Sequence, residues 1–180
     1  MTASVNPVDV IRDARPEDAA ALCRAAQDIA SHHEERFVSL PEELNPAAFQ
    51  ERITAAQNGS GKYLVIERAQ ELIAHASLFP MPMKRLAHVL RLDMCVHLGF
   101  WRQGHGKRLL DALVDWARHE PGIHKIELLV RATNQAAITL YAQAGFFEEG
   151  RHRDRIKLPD GRFMDDIAMA LLLKTPPRLG

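Results

Sequence analysis

Two glycines two residues apart, Gly104 and Gly106, stand directly before a strongly amphipathic stretch in FWRQGHGKRLLDALVDWARHE, residues 100–120. The start of a helix leaves its first backbone N–H groups without helical partners and carries the positive end of the helix dipole. Glycines there let a ligand approach the main chain, so the chemistry this turn offers is anion binding. Two glycine-turn motifs fail at a required position. A nucleotide-hydrolase P-loop needs Gly, four residues, then Gly-Lys; Gly99 and Gly104 keep that spacing, but His105 occupies the lysine position. A dinucleotide fingerprint needs a third glycine where Leu109 stands.

Further along, NQAAITLYAQAGF carries Asn134, Ala137 and Tyr141. At 100° per residue these three fall within about 60° of arc, so one ligand can touch all of them. The two stretches together resemble the GNAT superfamily of acyl-CoA-dependent N-acetyltransferases. WRQGHG matches that family's Arg/Gln-x-x-Gly-x-Gly/Ala loop except at Trp101, with Arg102 or Gln103 left to supply a side-chain phosphate contact. Asn134, Ala137, Tyr141, Gly145 and Phe146 match Asn-x-x-Ala-x-x-x-Tyr-x-x-x-Gly-Phe at every named position. The resemblance covers nearly the whole chain, is densest from His88 to Leu172, and looks most like the branch of small amino-acid, phosphinothricin-type and polyamine acetyltransferases.

The resemblance implies acetyl-CoA as co-substrate. Its diphosphate would lie on the loop of Arg102, Gln103, Gly104, His105, Gly106 and Lys107, where His105 contributes mainly its backbone. Asn134 and Ala137 would meet the pantetheine arm, a main-chain N–H within Met94, Cys95 and Val96 would hold the oxyanion, and Tyr141 would be the general acid. A phenol with pKa about 10 can protonate a thiolate whose thiol has pKa about 8.5 once water is excluded. An alkyl amine with pKa about 10 is neutral roughly one time in a thousand at pH 7, a penalty of about 4 kcal/mol. In VLRLDMCV the alternating Leu90, Leu92 and Met94 carry no acid, while Asp93 points to the opposite face. Either Asp93 is the base in a shifted arrangement, or water and a distant acid do the job. Glu34 and Glu35, after the first helix, and His75 and His88, on strands, are the acceptor-side candidates.

The expected activity is transfer of acetyl from acetyl-CoA to a primary amine of a small molecule, by direct attack in a ternary complex. The alternatives are acetylation of a protein N-terminus or lysine, and a non-catalytic acyl-CoA-sensing domain. The basic run EEGRHRDRIK is a solvated strand face or a device that steers an acidic acceptor.

These residues need a scaffold, and the pattern supplies one. Strands are predicted in VDVIRDA, KYLVIERA, ELIAHASLF, AHVLRLDMCVH, HKIELLV, FFEEGRHRDRI and RFMDDIAMALLL, and helices over PEDAAALCRAAQDIASHHEE, PAAFQERITAAQ, residues 104–119 and NQAAITLYAQAG. That order gives an α/β (mixed α+β) class: a mostly antiparallel twisted sheet of about seven strands flanked by about four helices, the GNAT fold by resemblance. Residues 87–130 form a parallel βαβ crossover, which places a ligand at the strand's carboxyl end, where the glycine turn lies.

The 180 residues, 47% hydrophobic, make one domain over 1–180, with residues 175–180 a frayed tail. Lys plus Arg and Asp plus Glu both number 23, which recommends neither a nucleic-acid nor a membrane partner. Cys23 and Cys95 show no metal-ligand spacing or disulfide pattern, so no metal and a reducing compartment are expected. MTASVNPVDV has neither a basic n-region nor an apolar h-region, and no apolar run approaches membrane-spanning length, pointing to a cytoplasmic protein. The apolar MDDIAMALLL is the candidate strand for homodimer pairing.

Overall fold

Period-two alternation divides the strands between two cores. In the computed structural model, which describes residues 8–174, the chain runs β1 (Val10–Asp13), α1 (Ala19–His32), α2 (Pro46–Gln57), β2 (Lys62–Arg68), β3 (Glu71–Pro80), β4 (Val89–Val96), α3 (His105–His119), β5 (Lys125–Arg131), α4 (Gln135–Gln143), β6 (Phe147–Lys157) and β7 (Phe163–Leu172). Leu64, Ile66, Ala76, Leu78, Leu90 and Leu92 pack with Leu109, Leu110 and Leu113 of α3. Their neighbours Tyr63 and Val65 pack on the other face, with Leu22 of α1 and Ile53 of α2. Helices thus cover both faces of one sheet.

Local signals set the element ends. Asn45 caps α2 by accepting the Ala48 N–H at 3.0 Å, and Pro46 follows at the first helical position. The first helix is shorter than predicted, because Pro16–Asp18 forms a separate tight turn. There the Asp18 carboxylate accepts the Arg15 N–H at 2.8 Å and the Arg12 guanidinium at 2.7 Å. Ala69 and Gln70, with φ of 47° and 69°, make the tight turn of the β2–β3 hairpin.

The seven strands lie in the order β1-β2-β3-β4-β5-β7-β6. Every neighbouring pair is antiparallel except β4 and β5. These two pair in parallel only from Val89↔Lys125 to Arg91↔Glu127, and then part. Beyond that point β4 runs to Val96 and β5 to Arg131 with a gap between them.

The strand expected to pair two copies, β7, lies inside the sheet between β5 and β6. Its apolar run is that of a core strand, with Met164, Ile167, Met169, Ala170 and Leu171 buried. The edge falls instead to the basic strand β6, where Arg151 and Arg155 pair with Asp165 and Asp166 of β7, and Glu149 with Lys125. Much of that strand's charge is therefore matched within the sheet. Residues 175–180 lie outside the described residues, and among those described no helix is long and apolar enough to cross a membrane.

Asp166, 1% exposed, bonds buried Arg131 and also meets Arg155 at 3.2 Å. Removing one member of a buried ion pair strands the other, at a cost of about 3 kcal/mol or more, whereas half-exposed pairs contribute under about 1 kcal/mol. Asp166→Ala should lower unfolding stability by about 3 kcal/mol in urea melts, and Arg155→Ala by under about 1 kcal/mol.

Candidate active site

A cleft of about 670 Å³ fills the gap between β4 and β5. The glycine turn borders it. Gly104 adopts φ 84°, the left-handed region that favours glycine. The first helical hydrogen bond of α3 runs from the Arg108 N–H to the Gly104 carbonyl, at 3.1 Å. The N–H groups of His105, Gly106 and Lys107 therefore have no helical partner. Gly106 meets a second demand: a Cβ there would stand 3.2 Å from Leu140 and 3.7 Å from Met94 and Val96. A side chain no larger than a methyl group fits here, and even that needs the end of Leu140 to give by a few tenths of an ångström.

Among the described residues the cleft lining carries Arg36, Arg102, Lys107 and Arg131 and no carboxylate, and the Arg131 charge is matched by Asp166 behind it. Three cations, Arg36, Arg102 and Lys107, around free N–H groups fit a diphosphate, so these residues suit the phosphates of coenzyme A. Asn134, Ala137 and Tyr141 line the same cleft from α4. Asn134 is the N-cap rather than a residue of the helix, and its side-chain oxygen accepts the Ala137 N–H at 3.3 Å. Its amide NH₂ is the group left for a ligand.

His105 is more than a spacer between glycines. Its ring is 3% exposed, with Nε2 3.3 Å from Gln103 Oε1 and Nδ1 3.4 Å from Asp9. Burial lowers the imidazole's pKa, against the opposing pull of the Asp9 charge. Asp9 also accepts Arg68 at 2.6 Å and Arg108 at 2.7 Å, so its carboxylate ties the start of α3 to β2. Those hydrogen bonds hold it below the usual carboxylate range. Gln103 and His105 brace the loop from behind and do not line the cleft.

Strand alternation sorts the proposed oxyanion donors. The His97 N–H bonds Ile73 O at 3.0 Å, and Val89 O accepts the Met81 N–H at 3.0 Å. In this unbroken antiparallel register the odd residues of β4 turn their peptide groups toward β3, and the even ones turn away. Met94 and Val96 therefore aim N–H groups at the cleft. The Cys95 N–H is directed to β3 and drops out of the set.

Tyr141 is 7% exposed and its ring packs on Phe146, centroids 5.7 Å apart. Burial, reinforced by the Asp93 charge, raises the phenol well above its usual value, so it stays protonated at any working pH. Asp93 does lie on the opposite face from Leu90 and Leu92, and it is tied to Arg52 of α2 at 2.7 Å. Arg52 also donates to Ser77 at 2.9 Å.

Of the other acceptor-side expectations, the structure brings none to the cleft lining. His88 immediately precedes β4, at the opposite end of the strand, where its ring meets His124. His75 points into the second core, with Nδ1 3.0 Å from His97 Nε2. Glu34 and Glu35 lie beside the mouth without lining it, and Glu35 sits 3.7 Å from Arg36. Their neighbours Arg36 and Phe37 take that place. The loop that carries them is held to α1 by Gln27, which donates to Leu44 O at 3.0 Å. Trp101 holds it to the glycine loop. The indole N–H donates to Val96 O at 2.6 Å, Arg36 lies over the ring at 4.4 Å, and His33 meets its edge at 4.7 Å. Only the departure at Trp101 signalled this contact in the sequence.

The model of the Acetyltransferase (GNAT) family matches residues 21–146. A ribosomal protein bS18-alanine N-acetyltransferase of Escherichia coli is 34% identical over 118 residues, 66% of this chain and 77% of that protein. An N-alpha-acetyltransferase RimI of Mycobacterium tuberculosis is 30% identical over 146 residues, 78% of this chain and 85% of that protein. The crystal structure of a ribosomal-protein-alanine N-acetyltransferase from Brucella melitensis superposes with TM-score 0.80 at 25% identity, covering 91% of this chain and 99% of that one.

Trp101→Ala removes a hydrogen bond and the seat of Arg36, together about 1–2 kcal/mol. Calorimetry should show coenzyme A binding weakened about tenfold, and Trp101→Phe, which keeps the ring without the N–H, should fall between. Gly106→Val should weaken binding by more than Trp101→Ala, because its methyl groups reach beyond a Cβ already crowded against Leu140.

Proposed function

The chain belongs to the GNAT acetyltransferase family and is an acetyl-CoA-dependent N-acetyltransferase, and from that premise we propose that its acceptor is the α-amino group at the N-terminus of a protein. The observation that carries this reading is that, among the described residues, no carboxylate lines the cleft, together with the ion pair that occupies Asp93. A site without a built base suits an amine that is already partly neutral. A peptide α-amino group, with pKa about 8, is unprotonated about one time in ten at pH 7, against one in a thousand or fewer for an alkyl amine. The difference is about 3 kcal/mol that no side chain has to supply. The relatives named as ribosomal-protein-alanine N-acetyltransferases support the same reading, in place of the small amine expected from the motifs.

Acetyl-CoA supplies the activated acetyl thioester, and this chain's residues handle charge and protons around it. The neutral amine attacks the carbonyl carbon while the Met94 and Val96 N–H groups stabilise the developing oxyanion. The carbon–sulfur bond then breaks as Tyr141 gives its proton to the departing thiolate, and the new amide nitrogen loses its extra proton to water. Asp93 acts here through its charge, which helps keep Tyr141 protonated, rather than as the base.

The test follows free thiol release with short peptides bearing a free N-terminus, the same peptides N-terminally blocked but containing lysine, free amino acids and polyamines. The α-amine peptides should have the highest kcat/KM, rising with pH to a plateau with an apparent pKa near 8 as the amine loses its proton. Higher kcat/KM for polyamines, free amino acids or blocked lysine peptides would overturn the assignment. Tyr141→Phe should lower kcat about a hundredfold while coenzyme A affinity stays within about twofold, since the hydroxyl acts on the sulfur only as it leaves.

A further inference from the structure

Behind the cleft, on the opposite face of β4, the ring nitrogens of His75 and His97 and the sulfur of Cys95 lie within 4.8 Å of one another, all three side chains buried. We propose that these three side chains form a zinc site that braces β4 from behind. The cluster is invisible to local spacing, because the β3–β4 register builds it by setting His75 directly opposite Cys95.

Three features favour an ion over a merely packed core. First, His75 Nδ1 and His97 Nε2 are 3.0 Å apart, close to the roughly 3.3 Å edge of a tetrahedron with zinc–nitrogen bonds of about 2.0–2.1 Å. Second, His97 Nδ1 donates to Leu72 O at 2.7 Å, so its Nε2 lone pair faces His75 and Cys95. An outer-shell carbonyl that fixes the tautomer of a ligating histidine is a recurrent feature of zinc sites. Third, a separate cavity of about 440 Å³, between α1 and the β2–β3 turn, is lined by His97 and Leu72. It brings solvent to the edge of the cluster at His97, while His75 and Cys95 lie behind that ring.

Without the ion, His75 Nδ1–H donates to His97 Nε2. Burial keeps the rings neutral and Cys95 a thiol, pushed up to about 12. Binding moves the His75 proton to its other ring nitrogen and releases the Cys95 proton to solvent, so one zinc ion exchanges for one proton. One thiolate against a divalent ion leaves a net positive charge in the core, which sets a moderate, reversible affinity. A thiolate and two imidazoles select zinc or its borderline-soft neighbours over magnesium and calcium, which take oxygen ligands. Met94 and Val96 flank Cys95 with N–H groups facing the cleft, so an ion here fixes the segment that carries the oxyanion donors.

The test is made on the full chain after chelator treatment, by titration with zinc chloride under calorimetry and with cobalt(II) chloride under absorption. The site predicts one equivalent bound, about one proton released per ion, a melting temperature that rises with zinc concentration, and a thiolate-to-cobalt charge-transfer band. Cys95→Ser and His97→Gln should each weaken zinc at least tenfold and, for Cys95→Ser, abolish that band, with circular dichroism unchanged. His152→Ala, on the exposed edge strand, should change nothing. Absence of the band in the unaltered protein, its persistence in Cys95→Ser, or equal binding of magnesium would overturn the site. All of these readouts are independent of acetyl transfer.

Discussion

The separation of β4 from β5 is the constraint on which the active site depends. A parallel pair that stays together for only three registers leaves peptide groups inside a sheet without strand partners. Unpaired main-chain donors are costly in an apolar interior. Here they border a cleft, where a ligand can satisfy them. The helix that follows β4 brings its free first-turn N–H groups to the same space, with Gly106 and Lys107 on the lining, so the crossover and the split strands together make one anion-binding site. The left-handed backbone at Gly104 and the missing side chain at Gly106 are what let α3 begin that close to the gap.

Charge is distributed with the same economy. Cations gather on the cleft lining, while carboxylates around it are held by partners: Asp9 under the glycine loop, Asp93 against Arg52, Asp166 between Arg131 and Arg155, and Glu35 beside Arg36 at the mouth. Each braces an element that shapes the site, and none is left on the lining to take a proton from an acceptor. Trp101 joins the two halves of the site, since the loop bearing Arg36 and Phe37 rests on the same side chain whose indole is anchored to Val96.

Much of this was legible in the sequence, where local physics decides. The glycine pair, the small-residue helix face with Tyr141 and the alternation of β4 depend on spacing alone, and the structure places them around one cleft. Residues whose roles depend on distant partners were not legible. His105 looked incidental because its partners, Asp9 and Arg68, come from β1's approach and the end of β2. His88 looked close to the site because it adjoins β4, yet the direction of that strand puts it at the far end. Cys95 was grouped with its neighbours until the β3 register showed its N–H turned away. The apolar run of β7 suggested pairing between copies, but an interior strand has the same composition. Asn134 matched its motif position but serves as a cap, a distinction of one residue that periodicity does not resolve.

The most direct measurement of the central claim is a backbone amide NMR titration of the full chain with coenzyme A. Free N–H groups that grip the diphosphate should move first and furthest, so the His105, Gly106 and Lys107 resonances should show the largest shifts. Met94 and Val96 should follow, and Cys95, whose N–H is already bonded across to β3, should shift least within β4. Unchanged amides at the start of α3, with the largest shifts elsewhere on the molecule, would contradict the account.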